Sequence, residues 1–173
     1  EGARLSFAKH QSFRHNDLKD LKRKISLAQG NVFVAVESVY SMDGDFAPLA
    51  SLASLCNDTG AHLIVDEAHS TGVFGNKGAG LVSQLRLDDK VFLKIHTFGK
   101  GIGVHGAVVI CDQLIKEYLI NFSRPLIYTT SIPPHSAISV SEAYKFIEEF
   151  QFLKKDLSEK IFLFSQNTSH SSS

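Results

Sequence analysis

Cysteine is scarce in this 173-residue chain: only Cys56 and Cys111 occur, far apart and without paired spacing. That excludes a zinc ribbon and a disulfide framework, and it suits a reducing, cytoplasmic setting. Charge of one sign is lacking as well. Eighteen Lys+Arg balance eighteen Asp+Glu for a formal net charge of +0, whereas a general nucleic-acid binder carries a basic excess. No apolar run approaches the ~18 residues that a transmembrane helix needs, so no membrane role is expected. The first residues read as the middle of a longer protein, and the serine-rich end has no stop logic. A fragment is expected.

What is present is ordinary globular composition, 43% hydrophobic and 21% charged, on a length that suits one domain. Short apolar runs rich in β-branched residues recur at Val32–Val36, Ala61–Val65, Val91–Ile95 and Gly106–Cys111. Such runs signal strands buried on both faces. Leu126–Thr130 is read as a fifth strand. Helices are expected from an Asn16 cap to a Gly30 stop, over Pro48–Thr59, over Gln113–Phe122, and over Pro134–Phe150 with proline in its first turn. Residues 1–30 carry seven Lys/Arg against three acids, read as one solvated helix flank. Strands alternating with helices predict an α/β domain, a mainly parallel sheet flanked by helices.

In such sheets, ligands sit beyond the carboxyl ends of the strands. Three successive strand ends deliver carboxylate, hydroxyl, imidazole and amine groups: Glu37-Ser38-Val39-Tyr40-Ser41-Met42-Asp43-Gly44-Asp45, then Asp66-Glu67-Ala68-His69-Ser70-Thr71-Gly72, then His96-Thr97-Phe98-Gly99-Lys100-Gly101. Three tempting motifs fail. Asp66-Glu67-Ala68-His69 spells a DEAH box, but no phosphate-cradling GxxxxGK[ST] loop accompanies it. Gly101–Gly106 matches GxGxxG, but it runs into a strand instead of opening a helix. His62, Asp66 and His69 cannot share one face of a strand as metal ligands, and no metal is expected.

The pair Asp66 and Lys100 carries more weight. Pyridoxal phosphate needs a lysine for its Schiff base and an acid facing its pyridinium nitrogen. The lysine amine must lose its proton before it attacks an aldehyde. Ser41, Thr97 and His69 supply groups for the phenolic oxygen and the phosphate. A nucleotide-dependent enzyme and a non-catalytic α/β module are the rival readings.

At these residues the chain resembles the α-oxoamine synthases, fold type I pyridoxal-phosphate enzymes. The same family pattern appears at Phe13-Arg14-His15-Asn16-Asp17 and at Leu126-Ile127-Tyr128-Thr129-Thr130-Ser131-Ile132-Pro133-Pro134. The resemblance runs from Phe13 to Phe150. It implies Lys100 as the Schiff-base lysine, Asp66 as the pyridinium partner, and His69 and Ser41 near the phenolic oxygen. It places Thr97 near the phosphate, and Thr129 and Thr130 at the phosphate of a neighbouring subunit's cofactor. A homodimer with shared sites follows, with Lys100, Asp66 and His69 as the catalytic set.

The implied reaction joins an amino acid to an acyl-CoA or acyl-carrier thioester and releases CO₂. Asp45-Phe46-Ala47-Pro48, Thr97-Phe98-Gly99-Lys100 and Gly106-Ala107-Val108-Val109 most resemble the branch that condenses L-alanine with a pimeloyl thioester in biotin synthesis. His105 departs from that branch's usual small residue. The branches that make 2-amino-3-ketobutyrate or extend serine with palmitate are alternatives. Residues 1–150 would form the central part of the cofactor-binding large domain, and residues 151–173 the start of a connection to a further domain. The family's phosphate loop and stacking histidine then lie before Glu1 and its carboxylate-binding arginine after Ser173. By itself the chain is expected to bind the cofactor weakly and not turn over.

Overall fold

The computed structural model describes residues 2–168. Its centre is a four-stranded sheet of order β1-β2-β3-β4, formed by Phe33–Glu37, His62–Asp66, Leu93–Thr97 and Ala107–Cys111. The first two pairings are parallel and β3–β4 is antiparallel, so the expected mainly parallel α/β sheet is present. Glu37 lies opposite Asp66, and Asp66 opposite Ile95. The ends of β1, β2 and β3 therefore share one edge of the sheet.

One face of that sheet is packed, not both as the apolar runs predicted: β1 to β3 bury alternate residues and β4 is exposed along most of its length. Val34, Val36, Leu63, Val65, Lys94 and His96 point into the packed face and are all buried, as period-two alternation requires. Two helices cover this face. In α1 (Leu18–Leu27), Leu21 and Ile25 sit one turn apart and are buried together. In α2 (Leu49–Thr59), Leu49, Leu52, Ala53 and Cys56 are each 1% exposed. Each such leucine contributes ~1.5–3 kcal/mol by leaving water. Helix α2 ends where Gly60 takes the left-handed conformation at φ 69°, a state that costs an L side chain energy. Burial pushes the Cys56 thiol up to about 11.

After the short helix α3 (Leu81–Gln84) and the strand pair β3–β4, the chain turns helical: α4 (Gln113–Phe122), α5 (Arg124–Ile127), α6 (Pro134–Glu149) and α7 (Phe152–Thr168). Among the described residues, no helix is long and apolar enough to cross a membrane.

Several boundaries differ from expectation. Leu126–Thr130 is not a strand. Pro125 sits in the first turn of α5, where its missing N–H costs nothing, and Thr129 Oγ1 donates back to the Pro125 carbonyl. Asp17, not Asn16, caps α1 by accepting from Lys19 N and Asp20 N, each at 2.9 Å. The helix stops at Ala28, before Gly30. β3 reaches two residues further than the apolar run, because β4 pairs with His96 and Thr97. Residues 152–168 form one helix, and the remaining serine-rich end lies outside the described residues.

Candidate active site

The shared edge of the sheet gathers most of the anticipated groups. Asp66 is the last residue of β2, and its Oδ1 accepts from Ala68 N at 2.8 Å. The chain then makes a tight turn that presents His69. Thr97 ends β3, and three residues later Lys100 stands in the turn to β4. Lys100 Nζ and His69 Nε2 are 2.6 Å apart, both at the surface. Two groups 31 positions apart in sequence are thereby joined.

A backbone contact underlies that pairing. A Cβ on Gly101 would meet the Thr71 carbonyl oxygen at 2.5 Å, so only glycine lets the Lys100 turn lie flat on the His69 loop. The turn itself is fixed by three backbone bonds: Phe98 N to Gly106 O at 2.9 Å, Val104 N to Phe98 O at 2.8 Å, and Gly103 N to Lys100 O at 2.9 Å. Gly101–Gly106 is thus a strand-to-strand turn, as expected, and opens no helix.

Glu67 is the residue that sequence reasoning left without a role. It is fully buried and accepts from Leu81 N at 3.0 Å, Val82 N at 2.7 Å and Ser38 Oγ at 2.9 Å, as well as from Ser70 Oγ. A buried carboxylate must be paired or hydrogen-bonded to be tolerated; here it satisfies the first N–H groups of α3. Asp66 and His69 flank this anchor on the exposed side. The only sequence signal was an acid between strand and loop, which the DEAH spelling disguised.

Ser41 lies in the turn after β1, exposed, with its N–H donating to Glu37 Oε2 at 3.1 Å. That turn is clamped from the amino-terminal side. Asp45 Oδ2 accepts from Asn16 Nδ2 at 2.9 Å and lies 2.8 Å from His15 Nε2. Two stretches that carried the resemblance are therefore one contact in space. His15, Asp43 and Asp45 also keep their ligand atoms within 4.8 Å of one another, in the open.

Three of the residues considered stand away from the Lys100 cluster. Thr129 and Thr130 follow α5 and are exposed, and Thr129 is bonded back within its own helical turn; in the assignment to a neighbouring subunit's cofactor they need not reach the Lys100 cluster. His62 packs on Phe33 and Phe92, with ring centroids 5.0 and 4.8 Å away, at the opposite end of β2 from Asp66.

The sequence matches the aminotransferase class I and II description over residues 1–167. The chain belongs to that family. Within it the similarity falls on the α-oxoamine synthases. The 8-amino-7-oxononanoate synthase of Emericella nidulans is 42% identical over 164 residues, covering 86% of this chain and 40% of that protein. The solved 8-amino-7-oxononanoate synthase of Francisella tularensis is 32% identical with a TM-score of 0.83, covering 98% of this chain and 49% of that one. A serine palmitoyltransferase of S. paucimobilis with bound PLP–myriocin superposes at a TM-score of 0.85 and 29% identity, covering 91% and 40%. The chain thus spans under half the length of the relatives it matches.

Proposed function

We propose that this chain forms the central part of a pyridoxal-phosphate site in an enzyme that condenses an amino acid with an acyl thioester. The carrying observation is Lys100 Nζ at 2.6 Å from His69 Nε2, at the strand ends that also hold Asp66 and Thr97. The residues fit the group. Thr97 Oγ1 is buried with no hydrogen-bond partner, and an orphaned hydroxyl is costly unless a ligand completes it. Lys100 would hold the aldehyde, Asp66 the pyridine nitrogen, His69 and Ser41 the phenolic oxygen, and Thr97 the phosphate. Thr129 and Thr130, which stand away from this cluster, would serve a second subunit's cofactor in a homodimer.

When bound, the cofactor supplies an electron sink for the amino acid's α-carbon. This chain's residues bind and orient it. Asp66 holds a proton at the ring nitrogen, and Lys100 Nζ, once free, moves the proton at the α-carbon. Residues 1–150 then belong to the cofactor-binding large domain and 151–173 to a connection. The two free thiols, Cys56 and Cys111, fit a reducing cytoplasm. The relatives' names support 8-amino-7-oxononanoate as the product, and the resemblance implies L-alanine and a pimeloyl thioester as the substrates, for biotin. A second reading, L-serine with a palmitoyl thioester, has the serine palmitoyltransferase superposition in its favour.

Reduction with borohydride in excess pyridoxal phosphate, followed by peptide mass analysis, tests the assignment. The adduct is expected on Lys100 and lost in Lys100→Ala with the unfolding midpoint retained. An equal adduct on Lys77 and Lys94, or one that survives Lys100→Ala, overturns it. Condensation assays of the complete enzyme to which this chain would belong, run with each substrate pair, sort the two readings: product from serine and palmitoyl thioester alone removes the first.

A further inference from the structure

Two rigid pieces meet at the site, and the question is what holds them in register. The His69 loop is anchored through Glu67 to α3. The Lys100 turn is built on β3–β4. Among the described residues they are joined by the Glu67 N–H to the Ile95 carbonyl at 2.8 Å, the Thr71–Gly101 backbone contact, the exposed His69–Lys100 bond, a bond from Lys94 on β3 to the half-buried Ser83 on α3 at 3.2 Å, and a bond between Thr71 and His96. Only the last joins two buried side chains, Thr71 at 1% and His96 at 3% exposure.

Its direction can be read from proton counting. The Thr71 hydroxyl has one proton and donates it to the Glu67 carbonyl at 2.7 Å. It must therefore accept from His96 Nδ1, 2.8 Å away. That fixes His96 as the Nδ1–H tautomer and leaves Nε2 a bare lone pair, buried and unpartnered. Burial also holds this imidazole below its usual range, with nearby Lys94 adding to the effect and Glu67 opposing it. A solvent-exposed bond such as His69–Lys100 competes with water and gives little orientation by itself. A buried bond between neutral partners, shielded from water, orients far more.

We propose that His96 is a positioning residue: through its Nδ1–H bond to Thr71 it holds the His69 loop against the Lys100 turn. The inference deepens the reading of Lys100 as the cofactor lysine, and it has a test that needs no cofactor. Imidazole ¹⁵N–¹H spectra of the chain report whether His69 Nε2 is bonded to Lys100, with Lys100→Met giving the unbonded reference. In Thr71→Val and in His96→Leu the His69 signal should move to that reference, while Thr71→Ser and His96→Asn, which keep the bond, should stay at the wild-type position. Should His96→Leu not fold, Thr71→Val carries the same comparison. Borohydride labelling of Lys100 should fall about tenfold to a hundredfold in Thr71→Val and recover in Thr71→Ser. A His69 signal unmoved in folded Thr71→Val, or moved equally in Thr71→Ser, overturns the proposal. Labelling that misses Lys100 in the wild-type chain defeats the functional reading alone, since the spectra still decide the positioning role.

Discussion

The two halves of this molecule obey the same sequence rules and end up in opposite states. Up to Ile102, the chain supplies every buried hydrophobic side chain of the described residues. Beyond it, α4, α5 and α6 bury none, although Phe122, Phe146, Ile161 and Phe164 are as apolar as anything in the core, and all are more than half exposed. Helices α6 and α7 reach the packed half through polar and edge contacts that include Lys77 to Glu148, Lys154 to the Gly75 carbonyl, and the Phe98–Tyr144 edge contact at 6.2 Å. An apolar stripe thus announces that a helix seeks a partner without saying where the partner is.

Substitutions can break or sharpen this contrast. Leu52→Ala, in the packed half, should cost about 2–5 kcal/mol in denaturant unfolding, whereas Ile161→Ala in α7 should stay within about 0.5 kcal/mol. Equal losses at both sites would erase the distinction. Glu67→Gln tests whether the packed half depends on its buried polar anchor. An amide nitrogen would face backbone N–H groups that now meet a carboxylate, and a loss of about 2 kcal/mol is expected; a variant as stable as the parent would mean that α3 does not need the charge.

The smallest expected effect is a pH dependence seated in His96. Burial depresses its folded pKa, so below ~6.5 the unfolded chain binds more protons than the folded one. Its stabilising share is complete above that value and drains away as pH falls through it. Thermal unfolding between about pH 7.5 and about 5.5 should show a declining midpoint, and His96→Asn should flatten the decline. Asp20 and Asp88 do not mimic this, because both are held below their ordinary range, Asp20 by Arg23 and the Arg14 N–H, and Asp88 by hydrogen bonds from Lys94 and Ser83 that outweigh its burial. They act only at lower pH.

Much of the site was legible because strand ends leave a local signature. The run into Asp66 and the glycine turn around Lys100 were readable residue by residue, and the loop clamp from Asn16 to Asp45 was visible as two separate motifs. Glu67 was not, since an acid after a strand looks the same whether it faces solvent or two backbone N–H groups fourteen and fifteen positions away. Leu126–Thr130 misled for a related reason: β-branched composition argues for a strand only if another strand offers it hydrogen bonds, and Pro125 had already begun a helical turn.

Periodicity and punctuation by themselves determined four strands, most of the helices and which edge of the sheet carries reactive groups, because those signals lie between near neighbours; they failed at Leu126–Thr130, where a strand needs a partner that local pattern does not supply. The tertiary structure alone decided that His69 meets Lys100, that Glu67 is buried, and that His96 donates to Thr71. Those facts depend on how strands distant in sequence lie in register and how closely two turns approach, and no local pattern encodes a distance between residues that meet only after folding.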